Sequence, residues 1–190
     1  MADELMQGVT AQWAEDVLDF WLRLVGREGW WSHSDIVDKA IRDQFADLWV
    51  ARKDQPAETF LGHADEALAA IILFDQFPRN MFRGSADAFS TDPLARDIAH
   101  AAVARSYDTQ MGGDARMFFY MPFQHSEKLE DQTLSLAFFN ALGQPVPLDY
   151  ARRHHDMVAR FGRFPHRNRL LGRQTTRAEQ AFLAAGGFAG

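Results

Sequence analysis

The segment RFGRFPHRNRLLGR, residues 160–173, concentrates side chains that bind anions. It contains five arginines and one histidine, interrupted by phenylalanine, proline and glycine. A planar guanidinium forms two parallel hydrogen bonds to a carboxylate or a phosphate. Gly162, Pro165 and Gly172 disfavour a regular helix, so these cations are expected in turns, where acids, carbonyls, water or a ligand must satisfy them. We predict that this segment forms one wall of a polar pocket.

A second polar segment, PFQHSEKLEDQ (residues 122–132), offers groups for acid–base chemistry. Histidine is the side chain whose ordinary pKa lies closest to neutral pH. His125 and the neighbouring Glu127 are therefore the catalytic candidates if the protein is an enzyme. Ser126 suits the N-cap of a following helix, in which Glu127 and Glu130 would complement the helix dipole.

A third polar segment, DQFPRNMFRG (residues 75–84), follows an apolar run. We expect Asp75 to be buried and paired with Arg79 or Arg83, because an unpaired carboxylate is costly inside a protein. His154 shares one face of a later predicted helix with apolar residues, which places it on the packed side of that helix.

These segments leave two interpretations open: the cations line a ligand site, or they neutralise acids in a structural network. The distribution of charge along the chain is compatible with the second interpretation, the structural network. Residues 150–190 hold eight arginines against two acids, a net +6, so the whole-chain charge of −6 leaves −12 for residues 1–149. The candidate ligand-binding residues are Asp75, Gln76, Arg79, Asn80, His125, Ser126, Glu127, His154, Arg160, Arg163, His166, Arg167 and Asn168.

The composition is typical of one folded domain. The chain has 190 residues, of which 47% are hydrophobic, enough for a substantial core. Its first residues lack the basic and apolar regions of a secretory signal, and no apolar run reaches the roughly 18 residues of a membrane span. We therefore expect a single domain over residues 1–190, a cytoplasmic location and no membrane contact. The lack of cysteine excludes disulfides and cysteine-based metal sites.

Apolar periodicity predicts helices over most of the chain. Thr10 is the expected cap of the first helix, and Pro78 is expected to end the third, because the residue before proline is disfavoured in a helix. Gly162 should close a helix in the left-handed conformation. Trp30 and Trp31 are expected in a loop, as core anchors. The predicted helices cover residues 12–25, 35 onward, 64–77, 92–105, 126–142, 148–161 and a last one that starts at the capping box Thr176–Glu179.

Three long motifs occur in a fixed order: DQFPRN (75–80), PFQHSE (122–127) followed by Asp131 and Gln132, and RFGRFPHRN (160–168) followed by Gly172 and Arg173. Together they resemble the bacterial domain of unknown function 924 family. The resemblance covers about Val17 to Leu183 and leaves residues 184–190 as a tail. It implies an all-α, TPR-like array of about seven to nine helices, although no TPR sequence repeat is visible. Gln124 departs from the family pattern, which commonly has Met there.

The function that these residues favour is binding of a small anionic ligand or an acidic peptide. Arg79, Arg163 and Arg167 would hold the carboxylate or phosphate oxygens. The alternative is a hydrolase or transferase that uses His125 and Glu127 as its acid–base pair. No recognised catalytic motif, such as G-x-S-x-G or a Walker lysine loop, accompanies that pair.

A second alternative is RNA binding, with Phe161 and Phe164 stacked on bases. The acidic remainder of the chain and its shortage of lysine argue against a surface that tracks phosphates. A metal site built from His125, Glu127 and His154 would match no standard spacing, so no metal and no cofactor is expected. Self-association into a homo-oligomer is compatible with the sequence.

Overall fold

Between residues 11 and 188 the chain folds into helices and connecting turns. The computed structural model describes residues 11–188. It contains 8 helices, and no strand occurs within that range. The predicted all-α class and helix number are therefore confirmed, whereas the TPR-like arrangement and the single-domain organisation stay predictions. Thr10, the predicted first cap, lies outside the described residues.

The labelled α segments outnumber the helices, because some helices comprise two consecutive segments and each segment has its own label. The segments are α1 (Gln12–Leu18), α2 (Gly26–Trp30), α3 (Asp35–Arg52), α4 (Ala64–Ile71), α5 (Phe77–Met81), α6 (Asp92–Ala104), α7 (Ala115–Phe118), α8 (Met121–Gln124), α9 (Leu129–Leu142), α10 (Pro145–Phe161) and α11 (Arg177–Ala184). Two π-helical turns join α1 to α2 and α4 to α5, at Asp19–Val25 and Ile72–Gln76. Short 3₁₀ turns include Ala86–Phe89 and Pro165–Arg167.

The helix formed by α4, its π turn and α5 is the centre of the molecule. Residues 67–78 are all buried, which explains why the sequence is apolar on every side of this helix. α4 packs against α1 and α6, and α5 packs against α3. α9 and α10 pack against each other, and a smaller apolar cluster of Met157, Val158 and Phe164 lies beyond them.

The predicted helix end at Pro78 is wrong, because the helix continues to Met81. Pro78 has no N–H to donate to the carbonyl of Phe74, its partner in a regular α-helix. The hydroxyl of Thr91 donates to that carbonyl instead, at 2.7 Å. The π turn ends just before Pro78, which then occupies the first turn of α5, where proline is tolerated. Arg79 therefore projects from a rigid helix rather than from a loop.

The helix predicted from Ser126 begins later, at Leu129, with Lys128 as its N-cap. The Ser126 hydroxyl instead donates to Asp131 at 2.6 Å. The two other predicted helix ends are confirmed. Gly162 closes α10 at φ 69°, in the left-handed region, and the capping box at Thr176 opens α11.

The helices between residues 11 and 188 are all too short or too polar to span a membrane.

Candidate ligand-binding site

A cavity of about 920 Å³ lies beside the central helix. Small-molecule sites in proteins have volumes of about 300–1,000 Å³, so this cavity is large enough for an organic ligand. Both π turns border it, through Trp21 and Gln76. Such turns occur frequently at functional sites, because they change which side chains a helix presents.

The cavity wall is rich in cations and histidines. No aspartate or glutamate of residues 11–188 is part of this wall. Each lining arginine nevertheless has a carboxylate partner behind the wall or at its edge, so the predicted ion-pair network is present as well. The lining arginines and histidines are Arg27, Arg79, Arg83, Arg167, His33, His125, His154 and His166.

Seven of the thirteen candidate residues border the cavity. They come from α5 and its π turn, from the end of α8, from α10 and from the 3₁₀ turn that follows α10. The seven are Gln76, Arg79, Asn80, His125, His154, His166 and Arg167. The other six are bonded elsewhere or exposed: Asp75, Ser126, Glu127, Arg160, Arg163 and Asn168.

Asp75 lies directly behind the wall, with 0% of its surface exposed. It accepts hydrogen bonds from Gln76 at 2.5 Å, Arg79 at 3.1 Å and His125 at 2.8 Å. Burial raises the pKa of Asp75, but the hydrogen bond from His125 and the charge and hydrogen bond of Arg79 outweigh it and hold the pKa below its usual value. The predicted pairing of Asp75 with Arg79 is confirmed.

The sequence suggested Glu127 as the partner of His125. The structure instead pairs His125 with Asp75. The two Asp75 oxygens lie 2.8 and 2.9 Å from Nδ1. An ionised carboxylate only accepts, so the proton lies on Nδ1 and the lone pair lies on Nε2. Nε2 has no partner among residues 11–188 and is not sealed from solvent. Burial, followed by the charge of Arg79, lowers the pKa of His125, so the ring is neutral at pH 7.

Glu127 is occupied by other groups. Its oxygens accept from Arg173 at 2.6 and 2.9 Å and from the Phe164 backbone N–H at 2.7 Å. Burial raises the pKa of Glu127, but Arg173 and the Phe164 N–H more than offset it and lower the pKa. Glu127 therefore fastens the arginine-rich turn to the start of α9, and its lone pairs are unavailable to His125.

Arg167 is the most enclosed cation of the wall, with its side chain only 8% exposed. Its guanidinium carbon lies 4.5 Å from the ring centres of both Phe89 and Phe164. Nη1 makes a long 3.3 Å contact with Asp92, which also binds Arg79 at 3.0 Å, and Nη2 has no partner among the described residues. Burial and the charge of Arg79 lower the pKa of Arg167 to about 10, so it stays charged at pH 7.

Two further histidines of the wall are neutral. Nδ1 of His154 lies 2.8 Å from the Tyr150 carbonyl, so it carries the proton and Nε2 carries the lone pair. Burial lowers the pKa of His154 to about 3 and that of His166 to about 4. At pH 7 this part of the wall therefore offers hydrogen-bond acceptors beside the arginine charges.

Several buried polar atoms of the wall lack a protein partner. Buried polar groups are normally hydrogen-bonded, so a cluster of unpaired ones indicates missing partners. Within the part of the chain that the structure describes, these atoms are Trp21 Nε1, Arg79 Nε, Gln124 Oε1, His166 Nδ1 and Arg167 Nε.

Arg163 lies apart from the cavity, contrary to its predicted contact with the ligand. It donates to Glu179 at 2.6 and 2.9 Å and to the Gln174 carbonyl at 2.8 Å. This hydrogen bonding lowers the pKa of Glu179 to about 2. Arg163 therefore anchors α11, and no carboxylate ligand is needed to satisfy it.

The remaining candidates also lie elsewhere. Arg160 is exposed and lies over the ring of Phe161 at 4.8 Å, and Asn168 is fully buried beside Glu179 at 3.4 Å. Phe164 is buried too, so it cannot stack on a base as the RNA-binding alternative requires.

The family profile described as "Bacterial protein of unknown function (DUF924)" matches residues 17–187. The chain belongs to this family. The membership inferred from three motifs is confirmed, and the match runs slightly beyond the predicted end at Leu183. A solved structure of a protein of unknown function from Agrobacterium tumefaciens is 40% identical to this DUF924 chain. The two structures superimpose with a TM-score of 0.85 over 91% of this chain and 97% of that one. The comparison with curated proteins gives no match.

The part of the cavity wall formed by α2 and the turn after it was not predicted from the sequence. Trp30, Trp31 and His33 border the cavity of the DUF924 chain, together with Arg27. Trp30 packs against the core, as expected, but lies at the end of a helix, whereas Trp31 lies in the expected turn but is 59% exposed. The expectation of two core anchors in a loop is therefore only half correct. The sequence signal that could have indicated this wall was a pair of tryptophans within a few residues of an arginine and a histidine.

Proposed function

We propose that the cavity binds a small organic anion through Arg167. The observation that carries the proposal is the position of this guanidinium, whose carbon lies 4.5 Å from the ring centres of Phe89 and Phe164 while Nη2 has no partner among residues 11–188. A carboxylate or phosphate oxygen placed there gains a charge-assisted hydrogen bond to a group that is already oriented. The only acid in contact with Arg167 among residues 11–188 is Asp92, at 3.3 Å.

Asp92 is shared between Arg79 and Arg167, and its contact with Arg167 is the longer of the two, at 3.3 Å against 3.0 Å. Burial raises the pKa of Asp92 above its usual value, against the opposing charge of Arg79. Arg79 already donates to Asp75, Asp92 and the Ala88 carbonyl, which leaves Arg167 as the main donor to a ligand.

The rest of the wall supports a small molecule with a flat apolar part. Trp21, Trp30 and Trp31 border the same cavity and provide aromatic surface for such a group. Neutral His154 and His125 accept hydrogen bonds from its hydroxyl groups or from water. We therefore favour a cytoplasmic aryl or heterocyclic acid over an acidic peptide, and we do not propose RNA binding.

The test compares Arg167→Met with Arg169→Met in thermal unfolding. Methionine keeps the apolar contact with Phe89 and Phe164 but removes the charge, and Arg169 is an exposed neighbour outside the cavity. The probes are phosphate, succinate and benzoate, each against sodium chloride at equal ionic strength. At ten times its Kd, a ligand stabilises a protein by about 1.4 kcal/mol. For a chain of this size the melting temperature then rises by about 3–6 °C.

We expect that rise in the wild type and in Arg169→Met, and none in Arg167→Met. The proposal fails if no probe stabilises the wild type beyond chloride, or if Arg167→Met responds as Arg169→Met does.

A further inference from the structure

We propose that Asp75 and His125 form an acid–base dyad that hydrolyses an ester of the anionic ligand. This inference rests on the proposed function, because the ligand must be held at Arg167 before His125 can act on it. His125 is the catalytic residue, since its Nε2 reaches the cavity. Asp75 is a positioning residue, since it is sealed behind the wall and acts only through His125.

The geometry leaves one nitrogen of the His125 ring, Nε2, without a partner among residues 11–188. Asp75 binds Nδ1 with both oxygens, which fixes the ring orientation and the tautomer. Asp75 is itself held by Gln76 and Arg79, on the helix that the Thr91 hydroxyl stabilises at Pro78. Nε2 is left as a lone pair on a rigidly held ring beside a cavity, as a general base requires.

The burial of Asp75 is a second argument. A wholly buried ion pair adds little stability compared with apolar packing of the same volume. The pairs Arg163–Glu179 and Arg173–Glu127 differ, because each ties a C-terminal segment to the rest of the fold. Asp75 lies in the centre of the apolar helix, and its only side-chain partner outside that helix, among residues 11–188, is His125. Holding His125 is the role that its position explains.

The reaction proceeds with water as the co-reactant. A water at Nε2 gives its proton to His125 as its oxygen forms a bond to the ester carbonyl carbon. The bond from that carbon to the alcohol oxygen then breaks, and His125 returns the proton to the departing alkoxide, which yields a carboxylic acid and an alcohol. Asp75 stays ionised and stabilises the imidazolium in between. The positive charge of Arg79 stabilises the negative charge that develops on the carbonyl oxygen, while Arg167 holds the ligand's own carboxylate or phosphate.

A second histidine is placed to orient the water. The ring centre of His154 lies 6.2 Å from that of His125, and its Nδ1 is bound to Tyr150. Its Nε2 is therefore a second acceptor on the same wall. One water that donates to both nitrogens has its oxygen lone pair directed away from them, toward the cavity.

The probe is mono-4-nitrophenyl succinate, which carries a free carboxylate for Arg167, a flat ring for the tryptophans and a coloured leaving group. Here nitrophenolate departs without a proton, so His125 returns its proton to solvent. In His125→Asn the amide nitrogen occupies the place of Nδ1 and still donates to Asp75, but no base replaces Nε2. His155→Asn is the matched control, since His155 lies on α10 outside the cavity wall.

We expect saturable hydrolysis by the wild type and by His155→Asn. General base catalysis contributes about 10²–10⁴-fold, so kcat of His125→Asn should fall by that factor with little change in KM. Thermal stabilisation by succinate should be the same in all three proteins, which separates binding from chemistry.

Two outcomes overturn the inference and leave the proposed function standing: succinate binds but the wild type hydrolyses no faster than buffer, or His125→Asn retains the wild-type rate. If succinate neither stabilises the protein nor competes with the probe, the proposed function fails, and the inference fails with it.

The role of Asp75 has a readout that needs no substrate. In the ¹⁵N NMR spectrum at pH 7, His125 should carry its proton on Nδ1, and Asp75→Asn should shift the proton population toward Nε2. A wild-type His125 protonated on Nε2 would contradict the dyad, even if Asp75→Asn failed to fold.

Discussion

Single residues of the cavity wall owe their chemistry to burial and to one fixed partner each. Arg167 remains a cation although its pKa falls to about 10, whereas burial makes His154 and His166 neutral. His125 is neutral as well, with its proton directed to Asp75. At pH 7 the wall thus combines arginine charges with imidazole lone pairs, and a ligand that fits it carries an anion and a hydrogen-bond donor.

His154 should make the stability of the protein sensitive to mild acid. Its folded-state pKa of about 3 lies below the usual value of 6.5, so below pH 6.5 the unfolded chain binds a proton that the folded chain excludes. The contribution of neutral His154 to the free energy of unfolding is complete above pH 6.5. It is lost as the pH falls toward 3, at about 1.4 kcal/mol per pH unit. Urea unfolding between pH 7 and pH 4 measures it.

His154→Asn keeps the donor to Tyr150 and removes the titrating nitrogen, so its free energy of unfolding should fall less steeply than that of the wild type. His155→Asn should follow the wild-type slope. Parallel curves for wild type and His154→Asn would show that His154 titrates normally in the folded protein.

At the level of the elements, the π turns place the polar groups. A regular α-helix through residues 72–81 would leave the Phe74 carbonyl facing Pro78 without a donor. The π turn and the Thr91 hydroxyl remove that conflict and let the helix carry Asp75, Gln76 and Arg79 into the centre of the fold. The apolar pattern predicted this helix, but the rescue of Pro78 depends on a residue on another element, which local propensity does not describe.

Thr91→Val tests this arrangement. The substitution preserves shape but removes the donor to the Phe74 carbonyl and the acceptor of the Trp49 indole N–H. Leaving buried polar groups unpaired costs about 1–3 kcal/mol, so the free energy of unfolding should fall by that amount in chemical denaturation. Thr133→Val, on the exposed face of α9, should change it by less than about 0.5 kcal/mol. Equal effects at the two sites would mean that Thr91 does not support the helix.

At the level of the whole molecule, segments far apart in sequence meet around one cavity. Residue types predicted which segments bring polar side chains to the cavity, and local periodicity predicted most of the helices that hold them. Neither predicted which arginine remains available. Arg163 and Arg167 are four residues apart in sequence. Arg163 is paired with Glu179, whereas the guanidinium of Arg167 lies against two aromatic rings. The α2 wall was missed for the same reason, since packing between distant helices brings Trp31 and His33 to the cavity.

Anomalous diffraction from crystals soaked in selenate, an anion shaped like phosphate, tests the central claim most directly. We expect a selenium peak inside the cavity, with a selenate oxygen within hydrogen-bond distance of Arg167 Nη2, and no such peak in crystals of Arg167→Met. Peaks confined to exposed arginines, with the wild-type cavity holding only water, would contradict it.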